Sequence, residues 1–134
     1  MSYMFDTDMC IYLIKNLPES VLTKVKDNHA KGISISAITL AELEFGISNS
    51  GNPEKNRNAL TQMLSIIDVL PFDSVAAHEY GAIRAKLQKK GEPIGNLDML
   101  IASHALSRNL TIVTNNVREF SRIEELKIEN WAEN

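Results

Sequence analysis

Three acidic residues stand in apolar surroundings where a merely solvated carboxylate is unexpected. Asp6 directly follows Tyr3-Met4-Phe5, Glu42 lies within Ile38-Thr39-Leu40-Ala41-Glu42-Leu43, and Asp98 precedes Met99-Leu100-Ile101-Ala102. Ala102 and Ala105 lie one and two helical turns beyond Asp98, so that face is small enough for another backbone to approach. If the carboxylates converge, each pair about 5 Å apart repels by roughly 3 kcal/mol at an effective dielectric near 20, and a cation belongs among them. Oxygen-only ligation selects a hard divalent ion, magnesium or manganese, which bridges phosphate oxygens and activates water. Phosphodiester hydrolysis is the chemistry that follows. Blander readings stay open on the residues alone. Asp98 suits a first-turn partner of a helix dipole, Thr39 and Glu42 have the spacing of a capping box, and Glu44 is as acceptable as Glu42 on helical periodicity.

Such residues need elements to hold them. Residues 3–5 read as a strand stopped by Asp6-Thr7-Asp8, with a helix from there to Ile14. Pro18 suits the first turn of a second helix with Val21, Leu22 and Val25 on its apolar face and Gly32 as its stop. A second strand follows at 33–36. Over 37–48, Ile38, Ala41 and Phe45 with Leu40, Leu43 and Ile47 opposite predict a helix apolar on two sides and largely enclosed. Asn49-Ser50-Gly51-Asn52-Pro53 is a loop before a helix carrying Leu60, Met63 and Leu64. A third strand is expected over 66–70, a long amphipathic helix from Asp73 to Lys90 ended by Gly91, a hinge at 92–95 and a helix over 96–108. A fourth strand at 111–113 and an edge strand at 127–129 complete the pattern. Strands alternating with helices predict an α/β fold, a three-layer α/β/α sandwich with a mainly parallel central sheet, in one domain over 1–134. Ligands bind such sheets beyond the carboxyl ends of the strands. The functional shortlist is therefore Asp6-Thr7-Asp8, Ser36, Pro71-Phe72-Asp73 and Thr114-Asn115-Asn116.

The 134 residues are 44% hydrophobic and 23% charged, an ordinary globular balance that excludes disorder and low complexity. Fourteen Lys and Arg against seventeen Asp and Glu give a net charge of −3, so no global positive field holds nucleic acid and any RNA site is a local patch. Four Phe, three Tyr and one Trp are too few to read single strands mainly by stacking, which leaves shape and phosphate contacts. Lys86, Lys89 and Lys90 shortly before Asp98, and Arg118 just after Asn116, are the candidate RNA contacts; lysines that complement a helix dipole are the competing reading. Cys10, alone inside an apolar run, excludes an internal disulfide and a Cys-rich zinc site. With no basic flank before a long apolar stretch, and no apolar segment near the ~20 residues that span a bilayer, a cytoplasmic protein without a membrane partner is expected. His29, His78 and His104 lack ligand spacing and are expected on the surface or in packing, and Tyr12, Phe45 and Trp131 in packing.

Four segments in order, 3–8 (Tyr3-Met4-Phe5-Asp6-Thr7-Asp8), 36–43 (Ser36 to Leu43), 94–102 (Ile94-Gly95-Asn96-Leu97-Asp98 to Ala102) and 112–120 (Ile112-Val113-Thr114-Asn115-Asn116 to Phe120), together resemble VapC toxins of the PIN-domain ribonuclease family. The short, Gly95-containing form resembles the subgroup that cuts initiator tRNA in its anticodon stem-loop. The resemblance implies the toxin of a type II toxin–antitoxin pair: a magnesium- or manganese-dependent endoribonuclease, silenced by a cognate VapB antitoxin, homodimeric and larger with that antitoxin. It also implies that the metal-binding acids are Asp6, Glu42 and Asp98, which selects Glu42 over Glu44, and that Asn116 holds the fourth catalytic position. The family pattern carries Asp where Asn116 stands; Asn116 can orient water or ligate through its carbonyl, and Glu119 is a partial substitute. Asp8, where the family often carries Asn, is expected either near the metal or as the N-cap of the first helix. The alternative is a catalytically silent PIN-fold binding module, against which Asp6, Glu42 and Asp98 argue. A phosphoacceptor receiver would need an acceptor Asp ending the third strand, which instead ends Val69-Leu70-Pro71.

Overall fold

Apolar runs three or four residues long, each followed by a helix, can pair only through crossover connections. In the computed structural model, which describes residues 2–16 and 18–133, they do so as one sheet. The chain runs β1 (Tyr3–Phe5), α1 (Thr7–Lys15), α2 (Glu19–Asn28), β2 (Ile33–Ser36), α3 (Ala37–Ser48), α4 (Pro53–Leu64), β3 (Asp68–Leu70), α5 (Ser74–Lys90), α6 (Asn96–Ser107), β4 (Thr111–Val113), α7 (Val117–Phe120) and β5 (Ile128–Glu129). Every pairing is parallel, in the order β3-β2-β1-β4-β5. The chain builds outward from β1 to β3, then crosses to the other side of β1. The winding reverses between β1 and β4, and a crevice opens at their carboxyl ends. Phe5 lies in register with Ile35 and Val113, so Asp6, Ser36 and Thr114 emerge side by side.

Alternation along the strands builds two cores. Tyr3, Phe5, Ile35 and Val113 face Met9, Leu13, Val21, Val25, Leu43 and Leu60 on one side of the sheet. Met4 and Ile112 face Ile83, Leu87, Met99, Ile101, Ala102 and Phe120 on the other. The expected three-layer sandwich is therefore the observed one. Asp73 caps α5 by accepting from the Ala76 N–H at 3.0 Å, and Gly91 ends it in the left-handed region at φ 68°. Among the described residues no helix is long and apolar enough to cross a membrane.

The structure departs from the sequence reading in four places. Pro18 is the N-cap of α2 and not in its first turn, and the helix tightens into a single 3-10 turn, His29–Lys31, before Gly32. β3 begins at Asp68, because the N–H groups of Ile66 and Ile67 are both drawn back to the Met63 carbonyl at the end of α4. α3 is not enclosed: Thr39, Leu43 and Ile47 face the core, while Ala41 is exposed and Phe45 is 69% exposed, so Phe45 is not a packing residue. The enclosed helix is α6, where Met99, Ile101, Ala102, Ser103, His104 and Ala105 are all buried between α5 and the sheet. His29 and His78 are exposed. His104 is buried, with Nδ1 2.7 Å from the Ser36 hydroxyl.

Trp131, beyond the last strand, folds back with its ring edge-on to Tyr3 at 4.9 Å and Phe5 at 5.3 Å, and it is 1% exposed. It closes the first core over β1. Trp131→Ala should cost about 3–5 kcal/mol of stability, and Trp131→Phe markedly less, in urea unfolding followed by circular dichroism. A loss below about 1 kcal/mol for the alanine variant would mean that the tail does not hold β1.

Candidate active site

Asp6 is fixed from both sides of the crevice. Its Oδ1 accepts from the Met9 N–H at 2.9 Å, capping α1, and its Oδ2 accepts from the Thr114 hydroxyl of the neighbouring strand at 2.6 Å. Thr114 Oγ1 accepts in turn from the Asn116 N–H at 2.9 Å. Burial pushes the Asp6 carboxyl up to about 6; the two hydrogen bonds work against the shift, and the charges of Asp8 and Asp98 add to it. Since Asp6 is the cap, Asp8 is not; it sits exposed in the first turn.

Glu42 and Asp98 reach the crevice from opposite layers. Glu42, half-buried on α3, accepts from the Thr7 hydroxyl at 2.6 Å. The N-cap of α3 is Ser36, whose hydroxyl accepts from the Ile38 N–H at 3.1 Å, and Thr39 Oγ1 is buried without a partner, so no capping box involves Glu42. Glu44 points elsewhere, into a bidentate pair with Arg57 of α4 at 2.8 and 2.5 Å. Asp98, in the first turn of α6, is raised to about 6 by burial and then by the charges of Glu119, Glu42 and Asp8, with no hydrogen bond to offset them.

Glu119 on α7 completes the group. Its Oε1 accepts from the Gly95 N–H at 2.8 Å and its Oε2 from the Asn116 side-chain amide at 2.7 Å. The Gly95 bond first, with the Asn116 bond and the Arg122 charge, holds its carboxyl below the usual range against the cost of burial. A Cβ built on Gly95 would lie 3.7 Å from Glu119 Oε1 and 3.8 Å from Asp98 Oδ2, so both carboxylates lie against this turn. On the sequence alone Glu119 is only a substitute acid. The signal for more was its place one helical turn after Asn116, within reach of that amide. Cys10, fully buried nearby, has its thiol pushed up by burial and by the charges of Asp6 and Glu42, which leaves it unreactive.

The basic candidates do not gather in the same way. Lys86 and Lys90 are engaged by Glu125 at 2.6 Å and Glu124 at 2.7 Å, across the contact between α5 and the segment after α7. Lys89 and Arg118 are exposed and have no carboxylate partner among the described residues.

The donors are all oxygens, and no cation of the chain is among the groups acting on Asp6 or Asp98. Among the described residues no group of three or more His, Cys, Asp and Glu is placed so that it could hold a metal ion. A partial carboxylate shell fits magnesium, which keeps several waters and takes only one or two carboxylates together with phosphate oxygens.

A parallel α/β/α domain with carboxylates at its topological switch point defines the class. Residues 3–126 match the family model of the PIN domain, and the chain belongs to the PIN-domain family. It is 46% identical over 132 residues to the tRNA(fMet)-specific endonuclease VapC of Shigella flexneri, covering 98% of this chain and 99% of that protein. It is 44% identical over 135 residues to ribonuclease VapC2 of Rickettsia felis, covering 98% of both. The crystal structure of VapBC2 from Rickettsia felis bound to a DNA fragment from their promoter superposes with a TM-score of 0.94 at 42% identity, over 98% of this chain and 99% of that one. Within the family, the chain is of the VapC kind.

Raised carboxyls make a prediction about pH. Asp6 and Asp98 titrate near 6 in the folded chain against 3.8 ordinarily, so the native state binds more protons over that interval. Their contribution to stability is complete below about pH 4 and is lost as pH rises through about 6. In chelator, the parent's melting temperature should fall from about pH 4.5 to 6.5 more steeply than that of Asp98→Asn, and magnesium should flatten the parent's slope. Equal slopes in the two proteins would show that Asp98 is not held among like charges.

Proposed function

We propose that this chain, as one PIN-like domain over 1–134, is a metal-dependent endoribonuclease acting in the cytoplasm as the toxin of a type II toxin–antitoxin pair. Its substrate is the anticodon stem-loop of initiator tRNA, and a VapB-type antitoxin silences it. The observation that carries this reading is the placing of Asp6, Glu42, Asp98 and Glu119 about the β1/β4 crevice, with no cation among the described residues acting on Asp6 or Asp98. The name of the Shigella flexneri relative, a tRNA(fMet)-specific endonuclease, supports the substrate, and the VapBC2 assembly of Rickettsia felis supports the partner. The same reading has the chain homodimeric, and larger with antitoxin; Phe45, 69% exposed, offers such an interface an apolar side chain.

Asp6, Glu42 and Asp98 would hold magnesium or manganese. The ion, when bound, offsets their repulsion and supplies Lewis-acid stabilisation to phosphate oxygens. The chain itself supplies position. The Met9 N–H and Thr114 hydroxyl allow Asp6 one orientation, and the Thr7 hydroxyl does the same for Glu42. Glu119, kept ionised, holds the Asn116 amide by its N–H side, which leaves the Asn116 carbonyl oxygen to orient a water. Asp98, with no hydrogen bond to its carboxylate among the described residues, presents that group to the crevice.

Asp6→Asn, Glu42→Gln and Asp98→Asn should each lower magnesium-dependent cleavage of initiator tRNA by more than about 100-fold with unchanged circular dichroism, while Glu44→Gln cuts like the parent. A folded Asp98→Asn protein that retains full activity would sink the assignment. For phosphate contacts the observable is salt. Lys89→Ala and Arg118→Ala should each flatten the salt dependence of RNA binding by about one counterion or less, without moving the cut. Lys86→Ala and Lys90→Ala should change it less, since those charges are already paired. Identical salt slopes in all four variants and the parent would remove these residues from the RNA interface.

A further inference from the structure

One buried titratable side chain has no part yet in the acidic site. His104 is fully buried on α6 among Met99, Ile101, Ala102 and Ala105, at a position an aliphatic residue would fill. Its Nε2 has no hydrogen-bond partner among the described residues, which costs stability that an aliphatic side chain would keep. Its Nδ1 lies 2.7 Å from the Ser36 hydroxyl, and that hydroxyl accepts from the Ile38 N–H at the start of α3. Burial first, and the charge of Arg108 after it, hold the ring below its usual pKa against the charge of Asp73 and the Pro71 carbonyl, so the imidazole is neutral. With Oγ accepting from Ile38, the hydroxyl proton of Ser36 is left to donate to Nδ1, and the ring proton sits on Nε2. Phe72 stands edge-on to the imidazole at 5.4 Å and 81°, which fixes the plane of the ring.

The place of this bond gives it a use. It is the only side-chain hydrogen bond from α6 to another element among the described residues, and it ends on the N-cap of the helix that carries Glu42. Six residues separate Ser36 from Glu42, and six separate Asp98 from His104, about 9 Å of helix in each case. Glu42 and Asp98 repel across the crevice, so α3 and α6 are driven apart at the acids and tied together a turn and a half away. Asp6 and Glu42 are each oriented by hydrogen bonds to their own carboxylates, whereas Asp98 takes its position from its helix alone.

We infer that His104 is a positioning residue of the acidic crevice: through Ser36 it holds α6 against the root of α3, and so sets the separation of Asp98 from Glu42 and the affinity of the crevice for a divalent cation. The inference rests on the metal-dependent reading above. Groups that orient metal ligands without touching the ion change its affinity roughly 10- to 100-fold when removed, and one acting through a helix belongs at the low end.

The test uses the full chain and manganese chloride alone, titrated calorimetrically well below the melting temperature of each variant. His104→Leu fills the site without the bond and should raise the manganese Kd about tenfold. His104→Asn puts an amide oxygen near the place of Nδ1, where it accepts from Ser36, and should bring the Kd back close to the parent's. Ser36→Ala breaks the bond from the other side and should weaken manganese by a similar factor, with little further loss when combined with His104→Leu. It carries the test by itself if His104→Leu does not fold. Met63→Ala, a core truncation on α4, which carries none of the acids, should lower the melting temperature in chelator and leave the Kd unchanged. A parent-like Kd in His104→Leu, no recovery in His104→Asn, equal weakening in Met63→Ala, or effects that multiply in the double variant each overturn the inference and leave the metal reading standing. A parent that binds no manganese overturns the metal reading itself, and the role of His104 with it.

Discussion

Like-charged carboxylates brought to one end of a parallel sheet, with no cation among the described residues acting on Asp6 or Asp98, are the constraint on which the rest of this structure depends. Burial and mutual repulsion both raise Asp6 and Asp98, so the arrangement costs stability in the chain alone and must be held by something else. The two cores hold it. Glu42 rides on α3, which is anchored in one layer by Leu43 and Ile47, while Asp98 and Glu119 ride on α6 and α7, anchored in the other by Ile101, Ala102 and Phe120. Asp6 sits between them on the central strand. The acids face one crevice because the layers meet there, and the strand order that reverses at β1 and β4 leaves that place open.

What could be read from the sequence, and what could not, divides along local and long-range physics. Asp6, Asp73 and Gly91 announce their roles through neighbours a few residues away, as caps and stops do. β1, β2 and β4 are apolar runs bounded by polar corners, and their order follows from alternation with helices. The choice between Glu42 and Glu44 is not local. Both are acids on one amphipathic helix, and what separates them is Thr7 on one side and Arg57 on the other, 35 and 13 residues away in the chain. That α3 is open, and not enclosed as its apolar pattern predicts, has a related reason. α3 and α6 are both apolar around most of their circumference, and only the placement of α5 decides that α6 is covered while Phe45 stays in water. Lysines of α5 looked like a substrate patch in a linear view, but Glu124 and Glu125 return to them from more than thirty residues on.

The neutral Asn116 is best understood with Glu119. A carboxylate at 116 would stand against Glu119 and add to the charge already pressing on Asp98. The amide instead donates to Glu119, and the Gly95 N–H at the start of α6 provides its second anchor. Negative charge is thus moved one helical turn along the chain and kept at the crevice, and one residue couples α7 to the turn that carries Asp98. A silent binding module would have no need of that compensation, and the raised Asp98 carboxyl would be a cost with no return.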